Sequence, residues 1–301
     1  MFLGIDVSKA TLDVALIKDQ KKPRHRVFAN TEAGHWQLLS WLKDNGAQPV
    51  HACMEATGSY GEVLALALHE AGHTVSIVNP AQIYYFAQTG LSRTKTDKVD
   101  AQSIARFCQM HRPSVWTPPA PAIRALQALV RRLESLLDMQ TTEKNRLAAG
   151  SASQEVTDSI RAVLAFLEQE VAAIKSQIKE HIDNHPDLKN QRDLLTSIPG
   201  IADTSAVAIL AEIGEISQFT HSRQVSAFAG LVPKIRQSGS SVRGRATLSK
   251  RGSSRLRHSL YFPAMTALRY NPVIRALRER LLSKGKSRML ILGAGYPCLH
   301  G

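Results

Sequence analysis

The chain opens as short apolar runs separated by polar turns. Residues 2–7 (FLGIDV) and 12–18 (beginning LDVALI) predict a β-hairpin, and RHRVFAN (24–30) continues as a third strand. TEAGHWQLLSWLKDNG then predicts a helix, with Thr31 as its cap and Trp36, Leu39 and Leu42 at helical spacing. VHACMEA predicts a fourth strand, apolar on both faces. GEVLALALHEAG predicts a helix ending in Gly72, HTVSIVN a fifth strand, Pro80 the start of another helix, and 97–110 one more.

The second part changes period. After the proline-rich stretch 113–121, which reads as a linker, come two long helical patterns. Leu126, Leu129, Leu133 and Leu136 repeat at 3-4-3 spacing, and Ile160, Val163, Leu167, Val171, Ile174 and Ile178 do much the same. The polar turn GSASQ between them predicts an antiparallel coiled-coil hairpin over 120–188, suited to dimerisation or to holding nucleic acid. DLLTSIPGIADTSAVAILAEIG (193–214) places Pro199-Gly200-Ile201 between two apolar helices. That is the pattern of a helix-hairpin-helix, whose turn offers backbone N–H groups to phosphate. The usual second glycine is Ala202 here, so a plain helix–helix corner stays open as the alternative.

Four acids fall at informative places in this order of elements. Asp6 lies in the first strand, Glu55 closes the fourth, and Asp97 and Asp100 stand three apart where a helix begins, on one helical face. Singly, each is an ordinary strand-end or helix-start residue. Together they suit a hard divalent cation, which takes oxygen ligands. Two such ions about 4 Å apart can clamp a phosphodiester undergoing in-line displacement. Three hairpin-type strands followed by alternating helix and strand is the RNase H-like (RuvC-like) order, an α/β fold in which acids at these positions converge on one cleft.

Composition sets the partner. The net charge is +13, yet residues 1–118 contribute only +2 and residues 119–190 contribute −1, leaving +12 for 191–301. Within 234–257 there are eight cations and no acid. The stretch includes Arg236, Arg243, Arg245, Lys250, Arg251, Arg255 and Arg257, a stripe that attracts phosphate backbones through counterion release. A merely solvated basic face is the plainer reading. The run QSGSS sits among these arginines, where a serine could attack a phosphodiester with guanidinium forks stabilising the charge. Local composition does not choose among Ser238, Ser240 and Ser241. No apolar run reaches the roughly 18 residues of a membrane span, and no basic leader precedes the first strand. Cys53, Cys108 and Cys298 show no paired or metal-type spacing, which fits a reduced, cytoplasmic protein.

The motifs GIDVSK, EATGSY, TKTDKVDA, SIPGI, FAGLVP, QSGSSVRGR, LSKRG and LRHSLYFPAM occur together from residue 3 to about 293. In this the whole chain resembles the DEDD transposases of the insertion-sequence one-ten family, the bridge-RNA-guided recombinases. The resemblance implies a RuvC-like domain over 1–115, a coiled-coil hairpin over 120–188 and a mainly helical transposase domain over 190–301. It implies Mg²⁺ (or Mn²⁺) held by Asp6, Glu55, Asp97 and Asp100, and Ser238 as the nucleophile that forms a covalent phosphoserine link to DNA. It further implies dimers that assemble into tetramers with a composite site, and a structured guide RNA that pairs with donor and target DNA. Similar proteins continue past ILGA with a basic helical stretch, so the ending ILGAGYPCLHG reads as a frameshift or truncation. Three other functions remain to be separated: a Holliday-junction-type nuclease using the acids and water alone, an actin-like sugar kinase suggested by GIDVSK, and a nucleic-acid-binding protein without catalysis. The sugar kinase lacks its second phosphate loop here, and a covalent protein–DNA adduct would set the first reading apart from the others.

Overall fold

Strict alternation in β1 (Phe2–Val7) sorts its side chains between two different neighbours. Leu3, Ile5 and Val7 join Leu12, Val14 and Leu16 of β2 (Thr11–Ile17) in one core under the first helices. Gly4 faces the other side. The computed structural model describes residues 1–301 apart from 19–21, 57, 90–95, 152, 217–218, 235–236, 239–241, 244–246 and 296–301. The side chains of 59, 89, 237, 238, 242, 243 and 295 also lie outside the described set.

The chain divides into two compact units, Met1–Pro118 and Pro119–Gly301. In the first, β1, β2 and β3 (Arg24–Ala29) form an antiparallel meander. Then come α1 (Glu32–Asp44), β4 (His51–Glu55), a short 3₁₀ turn at Ser59–Gly61, α2 (Glu62–Glu70), β5 (Thr74–Val78), α3 (Pro80–Thr89) and α4 (Asp97–His111). β4 pairs parallel with β1 and β5 parallel with β4, giving a mixed sheet of order β3-β2-β1-β4-β5. Thr31 caps α1 by accepting from the Gly34 N–H, as its sequence position predicts. Residues 113–116 differ from the linker expected there. The Trp116 N–H donates to the Val75 carbonyl at 2.7 Å, the Ser76 hydroxyl reaches the Pro113 and Ser114 carbonyls, and the Trp116 ring packs on the core.

The second unit is mainly helical. α5 (Pro121–Ala149) and α6 (Gln154–Asp183) form a hairpin whose apolar stripes face each other: Leu126, Val130, Leu133 and Leu136 meet Leu167, Val171, Ile178 and Ile182. Pro at the first turn of α5 and the Ser153 cap of α6 define the helix starts. The same cluster takes in Leu188 of α7 (Pro186–Thr196) and Val207, Leu210 and Ala211 of α8 (Asp203–Ile213). The Gln127 amide fixes this junction by donating to the Ala211 carbonyl at 2.9 Å.

Beyond α9 (Ser222–Phe228) lie four two-residue strands, β6 (Pro233–Lys234), β7 (Gln237–Ser238), β8 (Val242–Arg243) and β9 (Thr247–Leu248), paired β6–β9 and β7–β8. The chain then continues through α10 (Ser254–Ser259), α11 (Tyr261–Tyr270), α12 (Pro272–Ser283) and α13 (Arg288–Gly295). A separate apolar cluster joins α8 to α13 through Ile209, Leu256, Leu260, Ile274 and Leu292. Among the described residues, no helix is long and apolar enough to cross a membrane.

Candidate active site and nucleic-acid interface

The acids of the first unit are positioned by the way α4 lies on the sheet. A Cβ at Gly4 would stand 2.2 Å from both the Ala101 carbonyl oxygen and the Ala105 nitrogen, so glycine lets the helix backbone sit directly on β1. Cys108, one turn further on, donates its thiol to the His51 carbonyl at 3.5 Å, and it clusters with Cys53. Helix α4 therefore runs back along β1 and β4 from their C-terminal ends toward the Phe2–His51 end. Asp100 and Asp97, in its first turn, lead toward Asp6 and Glu55. The last registered pair of the two strands is Ile5 with Met54, so Asp6 and Glu55 are the next residues on neighbouring strands. Alternation puts Asp6 on Gly4's face and Glu55 on Cys53's face, which is the α4 side.

The cap of α4 is well defined. The Thr96 hydroxyl accepts from the Val99 N–H, and the acids in the first turn complement the helix dipole. Asp97 is exposed, while Asp6, Glu55 and Asp100 are half-buried. The segments that follow the two strand acids are held together by one amide. Asn30 donates to both the Ser8 and Tyr60 carbonyls, at 2.9 and 3.1 Å, and accepts from the buried His35 ring at 2.9 Å. Burial holds the His35 pKa below the usual histidine value against the opposing pull of Glu32, so a neutral ring donating Nε2–H fits this bond.

A fifth acid belongs to this face and does not stand out in the sequence. Asp13 is directly opposite Asp6 in the antiparallel register, and its carboxylate bonds His25 Nε2 at 2.8 Å. In LDVALI it reads as one polar residue in an apolar run, and only the register with β1 shows whom it faces. All of these donors are carboxylate oxygens, which suit a hard divalent ion. Among the described residues, no three His, Cys, Asp or Glu side chains stand close enough together to hold one ion. The donor chemistry therefore fits a divalent metal, and the acids gather at one end of the sheet without closing around a single point.

The second unit carries the other candidates. Ser238 lies in β7 opposite Val242, with Gln237 opposite Arg243. The side chains of Ser238 and Arg243 lie outside the described residues, as do Arg236, Ser240, Ser241 and Arg245 altogether. The remaining cations of the stripe are not equivalent. Lys250 and Arg251 are exposed, and Lys250 takes a left-handed φ of 54°. Arg255 lies 3.6 Å from the Glu134 carboxylate and is half exposed. Arg257 is half-buried and donates to the Ala229 carbonyl at 2.8 Å, bracing the chain beside Gly230. Gly200 has φ 114°, and a Cβ there would meet Ala267 and the Pro263 carbonyl at 3.0 Å, so its turn is packed against α11. The Ile201 N–H in that turn already donates to the Ile198 carbonyl.

Comparison with known proteins accounts for both units. Residues 3–150 match a family described as "Transposase", the DEDD type of IS110. Residues 192–279 match the "Transposase IS116/IS110/IS902 family". The chain is 31% identical to a pilin gene-inverting protein of Moraxella bovis over 97% of its own length and 90% of that protein's. It is 28% identical to a probable family 20 transposase of Pseudomonas aeruginosa, over 89% and 84% of the two lengths. It is 26% identical to the transposase for insertion sequence element IS1328 of Yersinia enterocolitica, over 86% and 81%. An acid-bearing mixed sheet followed by a basic helical unit, matched along nearly the whole chain, places this protein in the IS116/IS110/IS902 transposase family, whose work is DNA recombination.

Proposed function

We propose that the chain cleaves and rejoins DNA through a covalent phosphoserine at Ser238, with Asp6, Glu55, Asp97 and Asp100 as its divalent-metal site in an RNase H-like domain. Support comes chiefly from one observation: Gly4 lets α4 lie on β1 so that its acidic first turn leads to the sheet end bearing Asp6 and Glu55. A Mg²⁺ or Mn²⁺ ion, when bound, would supply positive charge to the scissile phosphate. The serine Oγ attacks phosphorus and gives up its proton. The bond from phosphorus to the leaving deoxyribose oxygen breaks, and that oxygen is protonated to a hydroxyl. Attack by a hydroxyl of a second strand on the phosphoserine then forms the new phosphodiester and restores the serine. A serine hydroxyl is a weak nucleophile unaided, so the reaction needs the acids as well as the loop.

The exposed cations Lys250 and Arg251, with Arg236, Arg243 and Arg245, would hold the phosphate backbone. The resemblance supplies the remaining parts of the reading: a structured guide RNA that selects donor and target DNA, a dimer that assembles to a tetramer, and action in the cytoplasm. A pilin gene-inverting relative fits the same chemistry, since inversion is a cut-and-rejoin reaction at two sites. The test is a denaturing-gel assay of the full chain with labelled DNA, guide RNA and Mg²⁺. Ser238→Ala should eliminate the covalent protein–DNA adduct and retain DNA binding, whereas Ser241→Ala should keep the adduct. An adduct that survives Ser238→Ala, or one mapped by mass spectrometry to another residue, overturns the assignment.

A further inference from the structure

The last three helices carry a second basic surface outside the 234–257 stripe. From Tyr261 to Gly295 the sequence holds seven cations against the single acid Glu279. All seven are exposed, and none takes part in an ion pair among the described residues. They are not spread evenly around the helices. Arg269 of α11, Arg278 of α12 and Arg288 of α13 come together around a groove of about 400 Å³. The floor of that groove is apolar, formed by the buried Ile291 and Leu292 and the half-buried Leu268, and the exposed Leu282, Met265 and Met289 also line it. Both methionines are exposed, Met289 by 70%. Arg275 and Arg280 of α12, and Lys284 and Lys286 in the turn between α12 and α13, add further positive charge.

Three guanidinium groups around an apolar floor call for a ligand that is anionic outside and flat and apolar inside. A duplex presents phosphates and sugars on its outer face and keeps its bases stacked within, so it would satisfy the arginines and leave the floor unused. An acidic peptide offers charge without base faces. An unpaired strand offers both parts: phosphates for the arginine forks and base faces for the apolar wall. Transposition separates and rejoins DNA strands, so unpaired DNA arises in the family's own reaction. We propose that the α11–α13 groove holds an unpaired DNA segment during strand exchange, with Arg269, Arg278 and Arg288 on its phosphates. This rests on membership of the transposase family and is independent of the identity of the nucleophile.

The test is equilibrium binding of the full chain, without catalysis, to labelled oligonucleotides of one sequence in three forms: single-stranded DNA, duplex DNA and single-stranded RNA. Replacing Arg269, Arg278 and Arg288 together with Gln should weaken single-stranded DNA binding about tenfold at moderate salt. It should also reduce the salt slope by about 2, given roughly 0.7 per phosphate on a single strand. Duplex binding should stay within about twofold, because the 234–257 stripe carries it. The Arg→Lys triple variant should keep the slope and lose part of the affinity, since it retains charge without the planar fork. Met265→Ala with Met289→Ala should weaken single-strand binding with no change in slope. Matching thermal melts would show these exposed substitutions leave the fold intact. The proposal is overturned if single-stranded DNA binds the Gln variant like wild type. Equal losses for duplex and single strand, or an effect confined to RNA, also overturn it. A lost Ser238 adduct with intact groove binding would separate this proposal from the reading of the nucleophile.

Discussion

The two units place their chemistry in opposite ways. In the first, acids sit at the ends of strands and in the first turn of a capped helix, and every spacing follows from sheet register and from Gly4 beneath α4. In the second, the candidate serine lies on a two-residue strand paired to another of the same length. Its cations are distributed over loops and helices. A rigid element fixes a ligand to within the tolerance that metal coordination or in-line displacement demands. A short hairpin fixes far less backbone. Under the proposed function the labour would be divided, the first unit supplying acids held on regular elements and the second presenting groups that engage with the nucleic acid.

The largest expected effect bears on the rigidity of the first unit. Gly4→Ala forces a methyl against the backbone of Ala101 and Ala105, which neither element can escape by a rotamer change. Overpacking of this kind costs about 3 kcal/mol, and a chemical melt should show it. Metal affinity should fall with it, because α4 is displaced from the sheet. If Gly4→Ala is as stable as wild type, the close packing that positions Asp97 and Asp100 is not as described.

A smaller effect should divide the basic stripe of the second unit. Arg257→Gln loses a charge-assisted bond to the Ala229 carbonyl and should cost about 2 kcal/mol of stability. Lys250→Gln, at an exposed position, should leave the melting temperature unchanged and lower the salt slope of DNA binding by about 1. The reverse pattern would mean that Arg257 is a phosphate contact and Lys250 a brace. Self-association offers a further comparison. Leu133 and Ile174 lie within the cluster shared by α5 and α6, so charged residues there should unfold the hairpin. Val163 and Phe166 lie exposed on α6, and Phe166→Glu should yield monomers in light scattering if that face joins copies of the chain. An unchanged mass would remove this face from the assembly.

The smallest effect is with pH and belongs to the first unit. Burial holds His35, His51 and His73 below the usual histidine pKa, with Arg112 and the N-terminal amine adding to the effect at His51. The His51 Nε2 bonds the Ser76 hydroxyl at 2.7 Å. Because that hydroxyl gives its proton to a carbonyl of Pro113 or Ser114, the ring is the donor, and a neutral form suffices. The unfolded chain takes up protons near the ordinary value of about 6.5, whereas the folded chain does so only at lower pH. Stability is therefore complete above that value and declines as pH falls below it. His51→Gln with His73→Gln should flatten the melting temperature between neutral and mildly acidic pH. A wild-type melting temperature that does not fall over that range would contradict the burial of these rings as neutral groups.

The first unit was largely legible in its sequence. The apolar runs FLGIDV and LDVALI, the Thr31 cap, the helix start at 97 and the Gly72 stop correspond to observed element boundaries. Asp13 was not legible, because its position opposite Asp6 depends on strand register rather than on any local pattern. In the second unit the leucine stripes and their pairing as a hairpin were visible, but the further partners in α7 and α8 were not. Periodicity and a short turn pair the two stripes, but periodicity does not say what else a buried face meets, and here Leu188 of α7 and Val207, Leu210 and Ala211 of α8 complete the cluster. The four short strands left no signal, since two residues are too few to show a period of two. The cations of α11–α13 are separated by apolar residues and gather into one groove only when three helices fold together.

The central claim, that acids from β1, β4 and α4 form one divalent-metal site, is tested most directly by Mn²⁺ titration followed by electron paramagnetic resonance, with thermal melting in parallel. Wild type should bind Mn²⁺ in competition with Mg²⁺. Metal at a hundredfold excess over Kd should stabilise the first unit by about 2.7 kcal/mol. Asp6→Asn, Glu55→Gln and Asp100→Asn should each weaken binding, since each removes a ligand charge. Wild type that binds no Mn²⁺ and melts identically with and without millimolar metal would contradict the site, as would equal binding by the Asp6→Asn, Glu55→Gln double variant.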